Sequence, residues 1–177
     1  MKDIYIDFGT GEIQGEVRDE IFKQKKAIEV HSWVHKIVQP KSATASTSGG
    51  HSSERCEHGE MIFTKEIDKA SPQLWMAASA GTIYTLVKIS FFRAVGGSNT
   101  TGVQKNDRQE YLTITLRNVL ISHVNSAVTS EGIPGEEFGL KYSAVKWEYR
   151  ESKIDGVANN SVDRTGQWDL ALNVPKF

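Results

Sequence analysis

Cysteine is almost missing from this chain, with Cys56 the sole thiol. No intrachain disulfide can form, so the fold must be held by its own core. Proline is scarce, at 4 residues, and no apolar run approaches the ~18 residues a membrane-crossing helix needs. The first residues, Met1 to Phe8, show no apolar stretch of the signal-peptide kind. An excess of charge is lacking too. Lys and Arg number 21 against 22 Asp and Glu, a formal net charge of −1, which argues against a nucleic-acid binder and against membrane insertion or attachment to an anionic membrane. The patterns G-x-G-x-x-G, G-x-x-x-x-G-K-[ST] and H-E-x-x-H do not occur, so the usual nucleotide and zinc-protease signatures give no support. These gaps predict a protein folded in the cytoplasm which, if it leaves the cell, does so without a cleaved signal peptide.

What is present reads as strands. The chain has 177 residues, 38% of them apolar, enough for one domain spanning 1–177. Asp3, Tyr5 and Asp7 alternate with Ile4, Ile6 and Phe8, the period of a half-buried strand. Residues 12–26 are charged and read as a solvated loop or edge. Residues 27–38 and 57–66 carry the β-branched and aromatic content of strands. Between them, from Gln39 to Arg55, lies a Ser/Thr/Gly-rich excursion with little apolar to bury; such long loops are usually functional. Ser71-Pro72 predicts a helix over 72–80, with Ser71 as cap and Gly81 as stop. Ile83, Thr85, Val87, Ile89 and Phe91 form the inward set of a long strand. Leu112, Ile114 and Leu116 form another, and Val119 to Val128 a second arm. Phe138, Leu140, Tyr142 and Ala144 alternate in one phase, and Val145, Trp147 and Tyr149 in the opposite phase. That slip predicts a bulge or a strand that changes sheets. Trp168, Leu170, Leu172 and Val174 predict a last short strand. The sum is an all-β fold: a small barrel or orthogonal sandwich of eight or nine strands with one short lateral helix.

Catalytic and metal chemistry find weak support. His31, His35, His51, Cys56 and His58 crowd one region, but His31 and His35 lie roughly 13 Å apart along a strand, too far to share a metal. Cys56 with His58 lacks the elbow turn and oxyanion donors of a nucleophilic site. Glu136 and Glu137 are adjacent, so on a strand they face opposite ways and cannot act together. The reading is of no enzyme, no cofactor and no metal, which leaves a structural protein or a monomeric β-sandwich module binding carbohydrate or peptide.

The order of several short motifs carries a resemblance. Gly15-Glu16 with Asp19 is followed by Ile28-Glu29-Val30, Ser32-Trp33, Gln39-Pro40, Gly49-Gly50 and Arg55. Then come Lys65-x-x-Asp68-x-x-Ser71-Pro72-x-Leu74 and Glu137-x-x-x-Leu140-x-Tyr142-x-x-Val145-x-Trp147-x-Tyr149. In these the chain resembles, over nearly its full length, the Hcp family of hemolysin-coregulated proteins, which build the inner tube of the bacterial type VI secretion system. Val17 stands where the family often has a small residue. The resemblance implies a β-barrel with a flanking helix, six-membered rings that stack into a hollow tube, and export without a signal peptide. It implies as partners further copies of the chain, a spike protein at the tube tip, a surrounding contractile sheath and small effector proteins carried in the lumen. It also gives the excursion 39–55 a role: to reach the neighbouring ring through Lys41, Ser42, Thr44, Ser46, Thr47, Ser48, Gly49, Gly50, His51, Ser52 and Ser53.

Overall fold

The fold is described from a computed structural model covering residues 3–9, 13–17, 20–40, 55–94, 108–128, 132, 134–151 and 161–177. Its elements run β1 (Asp3–Asp7), α1 (Glu20–Lys25), β2 (Ile28–Val30), β3 (Ser32–Val34), β4 (Ile37–Val38), β5 (Glu57–His58), β6 (Met61–Glu66), α2 (Ser71–Ala80), β7 (Ile83–Ala94), β8 (Arg108–Val128), β9 (Pro134–Lys141), β10 (Ala144–Tyr149) and β11 (Arg164–Asp169). The main sheet is ordered β2-β1-β7-β8-β9-β6-β3, with β10 beside β8 and β11 outside β10. Its pairings are antiparallel throughout. The two ends of that path, β2 and β3, are separated in the chain only by His31, whose N–H donates to the Thr64 carbonyl at 2.8 Å. The sheet therefore curls until both its edges belong to one run of chain, which is how a small sheet escapes exposed edges. Ile6, Ile28, Met61, Phe63, Ile89, Ile114, Leu116, Phe138 and Leu140 fill the interior. The all-β expectation stands.

Local expectations needed correction where the chain bends. Residues 27–38 are three strands, because the run turns at His31 to leave β1 and join β6. Ile28 and Val30 face inward before that turn, and Trp33 after it. Residues 57–66 divide at Gly59, whose N–H donates to the Lys36 carbonyl at 2.8 Å. The charged stretch 12–26 contains a second helix, α1, since Val17 and Phe22 are apolar enough to cover the outer face of β1. Phe22 stacks on Tyr5 at 4.2 Å between ring centroids. Gly15 serves that packing: a Cβ there would lie 2.1 Å from the Ala27 carbonyl oxygen, so any side chain would force the two backbones apart. The last strand starts earlier than Trp168 and stops at Asp169, and Leu170 to Asn173 form a turn.

The predicted second arm at Val119 is the continuation of β8, a single strand of 21 residues. It bends at Asn118, which holds φ 50. On one side the ladder runs Tyr84↔Val119 and then Leu86↔Arg117. The inward phase of β7 shifts at this point, so Tyr84 and Val87 are buried while Ile83 and Thr85 are exposed. On the other side β9 ends at Lys141↔Leu120 and β10 begins at Ala144↔Arg117, leaving Tyr142 and Ser143 outside the ladder. The phase slip expected near Ala144 is thus a change of outer partner, from β6 to β11, at a shared corner. Side chains tie it: Asn118 Nδ2 donates to Ser143 Oγ at 3.0 Å, and the Ser143 hydroxyl and N–H donate to the Arg117 carbonyl at 3.1 and 2.9 Å. Both Asn118→Ala and Asn118→Gly lose the first bond, but only alanine carries the left-handed backbone penalty. Asn118→Ala should therefore be less stable than Asn118→Gly by about 1–2 kcal/mol in thermal or urea denaturation. Equal stabilities would show that the bend does not rest on this residue's φ.

Candidate assembly site

Helix α2 is joined to the barrel by charge. Lys65 follows Met61 and Phe63 in the inward phase of β6, and Glu136 precedes Phe138 and Leu140 in the inward phase of β9. The two strands are neighbours with Lys65 opposite Glu136, and both side chains are buried. Lys65 Nζ spends its three protons on Asp68 Oδ1 at 2.6 Å, the Glu66 carbonyl at 2.6 Å and Glu136 Oε1 at 3.0 Å. The second Glu136 oxygen accepts from Trp75 Nε1 at 3.0 Å, and the Ser71 hydroxyl donates to the first at 2.7 Å. The expected Ser71 cap is not formed. Ser71 is the first helical residue, and its hydroxyl turns sideways to Glu136 while accepting the Asp68 N–H at 3.0 Å. Gly81 does stop the helix, at φ 64. Trp75 and Met76 are left on the outer surface, Met76 with 66% exposure. Trp75, Ala78 and Ser79 line a shallow groove with Val124 and Ser126 of β8.

The assigned stacking residues Lys41, Ser42, Thr44, Ser46, Thr47, Ser48, Gly49, Gly50, His51, Ser52 and Ser53 lie outside the described residues. Their foot is described. β4 and β5 form a two-stranded ribbon, Ile37↔His58 and Val38↔Glu57, from which the chain departs at Pro40 and to which it returns at Arg55. Tyr142, released from the ladder at the corner, holds this ribbon. Its hydroxyl lies 2.8 Å from His35 Nε2 and 2.9 Å from His58 Nδ1. The His35 and His58 ring centroids are 6.0 Å apart. Burial lowers the pKa of both imidazoles, and the neighbouring His58 lowers that of His35 further. Burial, with a smaller contribution from Cys56, raises the Tyr142 phenol. The clustering of His35, Cys56 and His58 read from the sequence is thus real, but His31 stands apart, exposed beside Glu66. Among the described residues no group of three or more His, Cys, Asp or Glu could hold a metal ion.

A bulge between Ile121 and His123 brings the adjacent Ser122 and His123 into one polar group with Glu60. The Ser122 hydroxyl donates to Glu60, so its proton is committed to a carboxylate and His123, 3.3 Å away, does not stand as its base. The described surface also keeps open strand edges. The part of β8 beyond Leu120 pairs with β9 alone, because β7 starts at Ile83 opposite Leu120. Among the described residues β11 pairs along its length with β10 alone, apart from a single bridge from Asp169 to Val174. Val128 at the end of β8 is 69% exposed. Among the described residues no helix is long and apolar enough to cross a membrane.

A family model described as "Type VI secretion system effector, Hcp" matches residues 5–149. The chain belongs to the Hcp family. It is 34% identical to protein hcp1 of Pseudomonas aeruginosa over 116 residues, covering 65% of this chain and 65% of that relative, just under two thirds of each. Hcp1 from Salmonella typhimurium superposes with a TM-score of 0.68 at 25% identity, covering 97% of both chains. A structure described as a type six secretion system protein superposes with a TM-score of 0.81, covering 99% of this chain and 100% of that one. Its 23% identity makes it a likeness of fold.

The Hcp motif Lys65-x-x-Asp68-x-x-Ser71 is seen here to be a buried network whose fourth member, Glu136, the sequence reading set aside. A signal was available: Lys65 and Glu136 each stand in the inward phase of a strand, and a buried charge demands a partner of opposite sign. Glu136→Ala removes the acceptor of Lys65, Ser71 and Trp75 together. Breaking one side of a buried pair costs about 3–5 kcal/mol, while replacing both sides by apolar residues costs far less. Urea denaturation should therefore show Glu136→Ala much less stable than the Lys65→Met/Glu136→Leu double variant. A single variant within 1 kcal/mol of the parent protein, on the order of an exposed pair, would mean that the network does not hold α2.

Proposed function

We propose that this Hcp protein is a structural protomer of the inner tube of a type VI secretion machine. It closes into six-membered rings, the rings stack into a hollow tube, and the tube leaves the cell by contraction of the surrounding sheath without N-terminal processing. The observation that carries this reading is the Hcp family match across residues 5–149. The open edges of β8 and β11 support it, since exposed strand edges need cover and a head-to-tail ring supplies it. No catalysis is assigned to the chain. A spike protein at the tip and small effector proteins in the lumen belong to the same reading.

Within it, ring-to-ring contact is assigned to the segment Lys41–Ser53. Light scattering over a dilution series should give the mass of a closed hexamer, and a monomer at micromolar concentration would sink the proposal in favour of a monomeric binding module. Replacing Lys41–Ser53 by a short Gly-Ser turn should spare the ring, since loop length adds little closure entropy. It should also abolish stacking by electron microscopy and export by immunoblot of the medium. Tubes and export persisting in the shortened protein would remove the segment from the stacking contact.

A further inference from the structure

We propose that the His35–Tyr142–His58 bridge is an acid-released latch that holds the β4–β5 ribbon against the barrel at neutral pH and lets it go when the histidines are protonated. The bridge joins three separate pieces of chain: His35 before β4, His58 on β5, and Tyr142 from the corner between β9 and β10. The backbone pairing within the ribbon is small, two residues on each side, and the bridge ties both of its strands to the Tyr142 corner.

The hydrogen-bond inventory makes the bridge sensitive to protons. A phenol has one proton to give and lone pairs to receive. Placed between two ring nitrogens at 2.8 and 2.9 Å, it donates to one bare nitrogen and accepts N–H from the other ring. Protonating the acceptor ring sets donor against donor, with the phenol proton left half-buried and unmatched. Protonating both rings adds two cations whose centroids are 6.0 Å apart. Among the described residues no carboxylate pairs with either ring. Cys56, half-buried on the β5 side, interacts with Tyr142. Glu57 and Lys36 are exposed, as is Lys141 at the end of β9. Glu60 is engaged with Ser122 and His123, and Lys146 with Glu148 at 3.0 Å. Among the described residues neither His35 nor His58 is in an ion pair. The apolar neighbours, Trp33 against His35 and Trp147 against His58, each at 6.2 Å between centroids, offer an imidazolium little hydration.

The sign follows from the lowered imidazole pKa values. Released histidines titrate near the ordinary value of about 6.5, so the open ribbon binds more protons than the latched one below that pH. The latch is therefore at full strength above about 6.5 and weakens as the pH falls. If the ribbon carries a stacking segment, acid would loosen the ring-to-ring contact; that consequence rests on the tube reading, whereas the latch does not.

The test is local and uses the whole protein. Hydrogen exchange of peptides covering 35–40 and 55–60, corrected for chemical exchange, is compared at pH 7.5 and 5.0, alongside a histidine-ring NMR titration. Ribbon protection should fall on the order of tenfold between the two conditions while β8 and β9 stay protected, the mark of local opening. His35 and His58 should titrate below the ordinary imidazole value of about 6.5. Tyr142→Phe keeps the ring and removes the hydroxyl, and its ribbon should already be poorly protected at pH 7.5. Unchanged ribbon protection at pH 5.0, simultaneous opening of β8 and β9, or His35 and His58 titrating at or above about 6.5 would each overturn the latch. So would a Tyr142→Phe ribbon as protected as the parent at pH 7.5. Should that variant fail to fold, the exchange and titration of the parent protein decide alone. None of these readouts requires stacking, so their failure leaves the tube proposal standing, and a monomer in light scattering leaves the latch standing.

Discussion

A single bend in β8 governs the rest of this structure. A straight strand of 21 residues would run roughly 70 Å, too long for both ends to serve one small barrel. At Asn118 the chain adopts a left-handed conformation that asparagine tolerates better than most residues. The strand then changes direction while keeping β7 on one side and the β9–β10 run on the other. Because β9–β10 must follow the same corner, it too loses two residues from the ladder. Ser143 is spent tying the corner. Tyr142 is freed to reach the ribbon at the foot of the excursion 39–55. One backbone constraint thus closes the barrel and places the side chain that holds its appendage.

The second requirement is a fixed position for α2. A helix of ten residues is too short to be stable alone, and its apolar contribution to the core is small: Leu74 and Ala77 are its buried hydrophobics. Such a face gives weak control of rotation and register. The buried Lys65–Glu136 pair supplies that control, since Glu136 meets both Ser71 and Trp75 with directional bonds. A buried ion pair adds little net stability over a well-packed apolar substitute, so the reason to keep it here is specificity of placement: Trp75 and Met76 come to rest on the surface beside β8 in one orientation.

How much of this was legible in the sequence depended on whether neighbours in the chain were neighbours in space. The alternation of Ile4, Ile6 and Phe8 and the stop at Gly81 are local, and the structure shows both. The slip after Ala144 was visible as a change of phase, although its cause, the left-handed Asn118 across the ladder, was not. Ser71 was misread as a cap because its identity and spacing suit one; the acceptor that draws it away lies 65 residues on, in another strand. Phe22 was hidden among charged residues, its apolar partners Tyr5 and Phe92 being remote in the chain. The pairing of His35 with His58 through Tyr142 needed the corner, which no periodicity predicts in three dimensions.

The anchored foot bears on how a polar segment can serve an assembly at all. Fixing a residue's backbone costs about 1–2 kcal/mol, and the Ser, Thr and Gly content between Lys41 and Ser53 offers little apolar burial to offset it. If both ends wandered, a partner would have to hold them as well as order the middle. The β4–β5 ribbon, its Gly59–Lys36 bond and the Tyr142 bridge fix the ends, so in the proposed tube a neighbouring ring would not have to hold them. Each such contact would still be weak. In the ring proposed here it would be repeated around a symmetric rim, where the first contact raises the effective concentration of the rest. Strength that comes from repetition is also quickly lost once a few contacts open, which would suit the proposed tube if it is to be rigid in use and come apart afterwards.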